Sequence, residues 1–433
     1  MSRVPGDRGL SRGATTIARE GARGDGRPDS RTALAAIVRA RLDHHPRTRA
    51  AWLALGIIGL LFCILGFVSS PQQAYMSYLT AYCAMLGVVL GALIMVMTAH
   101  ATNASWFVVL RRLAEDASAT IPLFALLFIP ILVGMRELYP WVTPDALGPD
   151  ARERVLAKQG YLNVPFFVIR AIVYFACWTA LAWLLRRWSV RQDRERDNLE
   201  LSARQRHLSA FGLVIVGVTL TFASFDWLMS LLPTWYSTVF GVYIFAGAFV
   251  GALALVAIVG LNAVRGGALT GLVHADHFHA LGKLMLTMVI FWAYIAFAQL
   301  LIIWIGDIPE EIAWYYVRWR NGWGALGLVL LFGNFVLPFL LLLSRDFKRS
   351  PRLLAALGAW LLVMHYVDIY WVAVPALHRE GFHASWFDLA SLAAVIGLPV
   401  ALWMYLVRAR AAVPVGDPYL DASLRYETED VAG

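Results

Sequence analysis

The chain has 433 residues, of which 59% are hydrophobic and only 15% charged. A soluble globule carries roughly a quarter charged residues, and the mean hydropathy here is +0.62, so the composition excludes an ordinary soluble domain and points to the bilayer. The net charge of +8 comes from Lys and Arg gathered in the first fifty residues and in a few loops, a distribution that fits membrane topology rather than nucleic-acid binding.

Residues 1–50 are rich in Arg, Gly, Ser and Asp and poor in aromatics, the composition of a disordered basic cytoplasmic tail. They are too many and too charged for the n-region of a signal peptide. The first apolar run is followed almost at once by a second, so it reads as an uncleaved span. A helix needs about 20 apolar residues to cross the hydrocarbon core. That length predicts ten spans, near 51–70, 74–99, 118–138, 163–185, 209–230, 236–262, 277–305, 322–344, 353–374 and 385–407. The fold class is therefore all-α and polytopic, with a transmembrane domain over 51–408 and a cytoplasmic C-terminal tail over 409–433. Cys63, Cys83 and Cys177 lie inside apolar runs with no C-x-x-C, which argues against a disulfide framework, a zinc knuckle or an iron–sulfur ligand set.

Lys and Arg fix the expected orientation. Arg111 and Arg112, read as following span two, the loop RRWSVRQDRERDNLELSARQRH, the loop SRDFKRSPR and the segment RARAAV all fall on the side of the basic N-terminus. Both termini are thus expected in the cytoplasm. The loop at 139–162, Arg318 and Arg320 are exceptions on the outer side. Span five ends FDWLMSLLP and span nine ends VDIYWVAVP, so Asp226 and Asp368 each stand seven residues before a proline, Pro233 and Pro375. This internal match predicts two similar four-helix bundles, spans two to five and six to nine, flanked by spans one and ten.

A charge near a helix centre costs about 2.5–3.5 kcal/mol on insertion scales and must face a partner or a water-filled cavity. Arg170, Asp226 and Asp368 fall at similar depth toward the outer side. An Arg170–Asp226 pair is expected, either as a salt bridge that locks helices or as part of a proton path. His365 and Asp368 are three residues apart and Trp371 three further, so they share one helix face. The pair reads either as a proton relay or as an interhelical hydrogen bond. His279 and Lys283, at i and i+4 toward the inner side with His100, either snorkel to the interface or open an inner half-channel. Asp388 at the start of span ten reads as interfacial. A bis-histidine haem needs ligands on facing helices at matched depth, and the histidines do not supply them; no metal site is expected.

The stretches YLNVPFFVIRAIVYF (161–175), FDWLMSLLPTWYSTVFGVYIFAG (225–247), HALGKLMLTMVIFWAYIAFAQLLIIWIGDIPEE (279–311) and HYVDIYWVAVP (365–375) resemble the ActF-type membrane subunit of bacterial alternative complex III. That family is related to the NrfD/polysulfide-reductase membrane subunits. The resemblance implies ten helices in two four-helix bundles, in the bacterial inner membrane. It implies a subunit of a quinol:cytochrome c, or quinol:terminal oxidase, oxidoreductase with no redox cofactor of its own. It also implies partners: a paralogous NrfD-like membrane subunit, an iron–sulfur subunit, c-type cytochrome subunits and a terminal oxidase. Haem c and iron–sulfur clusters would sit in those partners, and quinol would enter at the level of the complex. The pattern departs after DWLMSL, where Leu232 and Thr234 replace an acidic residue and a histidine.

Three roles follow. In the first, Arg170, Asp226, His365 and Asp368 form an outer proton path and His279 and Lys283 an inner one. In the second, His365 and Asp368 hydrogen-bond a quinone. In the third, the polar pairs only hold helices together. An independent transporter would prefer helices broken at the midplane, whereas Pro233 and Pro375 sit near span ends, with Pro130 an exception.

Overall fold

The structure is a computed structural model that describes residue 42 and residues 46–195, 198–408 and 410–427. Ten helices are long and apolar enough to cross a membrane: α1 (Pro46–Ser69), α2 (Pro71–Ala101), α3 (Ser105–Val133), α4 (Val164–Gln192), α5 (Leu199–Leu231), α6 (Phe240–Arg265), α7 (Ala275–Gly306), α8 (Trp323–Leu343), α9 (Pro351–Ala376) and α10 (Trp386–Val407). No β-strand occurs among the described residues. In hydrocarbon every backbone group must bond within the chain, and helices do this within one segment. The predicted tail, residues 1–50, lies mostly outside the described residues. Its last five, 46–50, open α1 instead, where Pro46 suits a helix start because it lacks only an N–H that the first turn leaves unbonded.

The α2, α3, α4 and α5 helices pack as one four-helix ring and α6, α7, α8 and α9 as a second. The rings join along α2 and α6, and α1 lies antiparallel against α10 at the side. This is the expected division of two bundles with flanking helices. The joins use glycine. A Cβ on Gly91 would lie 2.4 Å from the Ala248 carbonyl oxygen, and one on Gly59 would lie 2.5 Å from the Ala394 nitrogen. In a bilayer the hydrophobic effect does not drive helices together, so close backbone approach and dispersion contact must do it.

Three expectations need correction. The third span begins at Ser105, not 118, so Arg111 and Arg112 stand inside it and not in a loop. They are almost fully buried, at 3% and 1% exposure. Their cost is met locally: Arg111 pairs with Glu115 at 3.0 Å and with Asp417 at 2.6 Å, Arg112 pairs with Asp193 at 2.8 Å, and Arg186 pairs with Asp116 at 2.5 Å. A hydropathy reading sees four charges and ends the span; the fold cancels them. The second correction concerns proline. Besides Pro130, Pro122 and Pro338 interrupt helical runs inside α3 and α8, and Pro399 lies within α10. In α8, Leu331–Val336 is π-helical, and the Gly333 carbonyl accepts a 2.7 Å bond from Trp360 Nε1. Third, α4 and α5 run farther than predicted at their basic ends, to Gln192 and from Leu199.

The segment after α10 folds back on the basic end of the bundle. Ala412 and Val413 are buried, Asp417 pairs with Arg111, and the Ser423 carbonyl meets His277 Nε2 at 3.0 Å. The three cysteines are free thiols.

Gly59→Val tests the α1–α10 contact. Overpacking a close contact costs about 1–3 kcal/mol, and here the added atoms would meet backbone that has no rotamer to yield. The expected result is a clear fall in thermal unfolding temperature in detergent, with Gly160→Val, where the added Cβ meets nothing within 4 Å, as the neutral control. Equal unfolding temperatures for the two variants would remove the glycine contact as the cause of the packing.

Candidate functional site

Two span carboxylates, Asp226 and Asp368, are buried in the half of the bundle away from the basic end, and the fold treats them differently. Asp226 stands in the last turn of the regular part of α5 and is fully buried. Arg170 of α4 meets it with two parallel bonds of 2.8 Å, Nε to Oδ2 and Nη2 to Oδ1. Tyr174 Oη donates to the same Oδ2 at 2.8 Å, and Arg170 Nη1 reaches the Tyr161 carbonyl at 3.0 Å. The guanidinium also lies over the Tyr161 and Phe166 rings, at 3.8 and 4.3 Å. This is the expected pair, in the bidentate geometry that makes arginine–carboxylate contacts strong. Charge, hydrogen bonds and aromatic faces are all satisfied within one bundle.

Asp368 occupies the matching register in α9 and is 1% exposed, but no arginine meets it. Its two oxygens are held by neutral donors from the other helices of its bundle. Tyr243 Oη of α6 donates to Oδ1, and Trp292 Nε1 of α7 donates to Oδ2 at 3.0 Å. Among the described residues it has no cationic partner. Both donors line a cavity of about 630 Å³ enclosed by α6, α7, α8, α9 and the connecting helix Pro309–Trp319. Gln299, with its side-chain oxygen buried and unbonded, and the π-helical stretch of α8 also border this cavity. Such π segments recur beside functional sites.

The nearest uncompensated cation on that wall is Arg318, 3% exposed. It donates to the Trp371 and Val372 carbonyls of α9 at 3.1 and 2.5 Å and to the Trp314 carbonyl at 2.9 Å. The first two are terminal carbonyls of α9, which a helix leaves without intrahelical donors. Burial pushes the Arg318 guanidinium down to about 9, so it keeps its charge at neutral pH. Among the described residues no carboxylate pairs with it.

His365 does not bond Asp368. Its Nε2 meets the Ala84 carbonyl of α2 at 3.2 Å, and its Nδ1 is buried without a partner. The two side chains are neighbours only through Gly247, whose added Cβ would lie 3.1 Å from His365 Nδ1 and 3.4 Å from Asp368 Oδ2. His279 is buried while Lys283 is exposed, so this inner pair shares a helix but not a setting. The six predicted residues are therefore not one site. Arg170 and Asp226 lie in the first bundle, His365 and Asp368 in the second, and His279 and Lys283 at the basic end.

The sequence reading missed Tyr243, Trp292 and Gln299, which look like ordinary apolar-helix residues until the bundle closes. Arg318 carried a signal: it stood on the outer side against the positive-inside pattern. Also missed was a chain of side chains at the end opposite the basic one, where His378 meets Gln73, Gln73 Nε2 donates to Ser77 Oγ at 3.0 Å, and Ser77 Oγ donates to Asp388 Oδ1 at 2.5 Å. Asp388 also accepts the Ser385 N–H at 2.9 Å, closing the first turn of α10. Among the described residues no three His, Cys, Asp or Glu side chains converge as a metal ligand set would. No family model matches the chain, and no curated protein matches it.

Removing one partner of a buried ion pair leaves an unpaired charge and costs about 3–5 kcal/mol, while replacing both by apolar groups is often neutral. Arg170→Leu and Asp226→Leu should therefore each lower the unfolding temperature and yield, and the double variant should recover most of the loss. Additive losses in the double variant would mean that the two residues act independently.

Proposed function

We propose that this chain is an ActF-type membrane subunit of a respiratory quinol:cytochrome c, or quinol:terminal oxidase, oxidoreductase, and that Asp368 is its proton-exchanging carboxylate. The resemblance of 161–175, 225–247, 279–311 and 365–375 to that family supports the first part. The observation that carries the second is the contrast between the two carboxylates. Asp226 is neutralised by Arg170 and is held, whereas Asp368 is bonded only by Tyr243 and Trp292 beside a cavity. A carboxylate locked to a guanidinium has little freedom to change charge, while one held only by neutral donors keeps that freedom. In this reading the Arg170–Asp226 pair is a lock, and a proton passes between Asp368, Tyr243 and water held against the polar groups of that wall, Gln299 and Arg318. Arg318, fixed at the end of α9, adds a charged donor to the same cavity wall. The chain would work in the bacterial inner membrane beside a paralogous NrfD-like subunit, an iron–sulfur subunit and c-type cytochromes, which would carry the redox groups.

The cavity itself favours one second reading, a quinone headgroup. Its walls are aromatic, with Trp292, Trp314, Tyr315 and Trp371, and its polar groups are few, as in most small-molecule sites. His365, bonded to α2 and absent from the cavity wall, takes no part in that version.

Asp368→Asn in the assembled complex, reconstituted in vesicles, tests the main reading. Proton uptake coupled to quinol oxidation should fall by about tenfold or more, the scale of losing a positioned proton carrier, while Asp368→Glu restores part of it. Wild-type coupling in the Asn variant would end this assignment. A photoreactive quinone analogue separates the second reading: label on the peptide bearing Trp314 and Arg318 supports it, and label confined to partner subunits removes it.

A further inference from the structure

A second cavity, of about 740 Å³, lies on the other side of α9, where α1 and α10 meet the two bundles. Six spans wall it, with Trp52 of α1, Phe124 of α3, Val256 of α6 and Trp403 of α10 among the lining side chains. Its wall is almost wholly apolar, so water gains little by filling it. Left empty, it would forfeit dispersion contacts over a volume far larger than protein interiors normally leave open. A chain already in the bilayer can fill it without a hydration cost.

Three arginines flank one end of this cavity in the chain. Thr48, Gly266 and Met404 line it there, and each has an arginine close by in the chain: Arg49, Arg265 and Arg408. Arg49 and Arg408 gather at one point, their guanidinium groups lying 6.0 and 4.0 Å from the Tyr405 ring. Among the described residues none of the three has an acidic partner, in contrast to Arg111, Arg112 and Arg186 at the same end of the bundle. An apolar slot whose lining helices carry unpaired arginines next to one end is complementary to an apolar chain that ends in an anion.

We propose that this cavity holds an acyl chain of an anionic phospholipid, with the phosphate held by Arg49, Arg265 and Arg408. The tail would fill the junction between α1, α10 and the two bundles, and the headgroup would neutralise arginines that the protein leaves unpaired. Basic pockets between transmembrane helices recognise acidic headgroups by this same chemistry.

The test uses the purified full chain in a non-ionic detergent, with phosphatidylglycerol or phosphatidylcholine added and bound lipid counted by native mass spectrometry. The wild type should retain phosphatidylglycerol at least about tenfold better than phosphatidylcholine. Replacing Arg49, Arg265 and Arg408 together by Gln should bring that ratio close to one. These are surface changes that leave the core intact, so a fold measured by unfolding temperature should persist. Val256→Trp, which fills the slot, should lower retention of both lipids. Equal retention of the two lipids by wild type would overturn the proposal. So would an unchanged preference in the triple variant, or an unchanged bound-lipid count in a folded Val256→Trp protein.

Discussion

Inside a bilayer a buried carboxylate has no water to bond, and the arrangement of this molecule follows from how each one is satisfied. Insertion is costly for any charged side chain, so a carboxylate in a span must be neutralised, hydrogen-bonded or placed beside a cavity. Asp226 is neutralised by Arg170 from the adjacent helix. Glu115 and Asp116 are absorbed into a cluster with Arg111, Arg112 and Arg186 that ties α3 to α4 and, through Asp417, to the segment after α10. Asp388 is spent on capping α10 and bonding Ser77 of α2. Each of these bonds also fixes one helix against another, so the cost of burying the charge is turned into packing order. Among the described residues Asp368 and Asp388 are held without a cation, and the donors that hold Asp368, Tyr243 and Trp292, line the 630 Å³ cavity.

Much of this was legible in the chain. Ten apolar runs of the right length give ten spans, because span length is a property of the bilayer rather than of tertiary context. The Arg170–Asp226 pair was also legible, since the two residues sit at one depth on sequence-adjacent helices. The start of α3 was not. Its four charges look like a loop when each residue is scored alone, and only pairing across α4 and the C-terminal segment shows why they sit inside. The surroundings of Asp368 were hidden for a related reason. Tyr243 and Trp292 lie 125 and 76 residues away in the chain, and nothing about an aromatic residue in an apolar helix announces which carboxylate it will meet. His365 misled by proximity: three residues from Asp368 places it on the same face, but its ring turns to Ala84 of α2 instead.

The two bundles repeat a register more closely than they repeat a chemistry. In both, an aspartate near the C-terminal end of the last helix stands seven residues before a proline. In the first bundle the balancing arginine is on a neighbouring span and touches the carboxylate. In the second, the buried arginine is Arg318, on a connecting helix, and its donors go to the carbonyls at the end of α9. A helix C-terminus carries a partial negative charge, so this placement satisfies Arg318 without using Asp368. The arginine and the aspartate are then both buried, both hydrogen-bonded and not paired with each other. That separation leaves the 630 Å³ cavity between the helices that hold them.

Moving an arginine from a span to a connecting helix thus changes what the same aspartate can do. A direct pair closes the space between two helices and fixes both charges. A cation anchored to a helix end fixes that end instead, and it leaves both Asp368 oxygens to neutral donors, Tyr243 and Trp292, that line the cavity. The π-helical turn in α8 borders the same cavity through Leu331 and Phe335, and Trp360 bonds its Gly333 carbonyl. One bundle closes its aspartate with an arginine, the other sets a cavity beside the donors of its aspartate, and the glycine-lined join of α2 to α6 holds the two together.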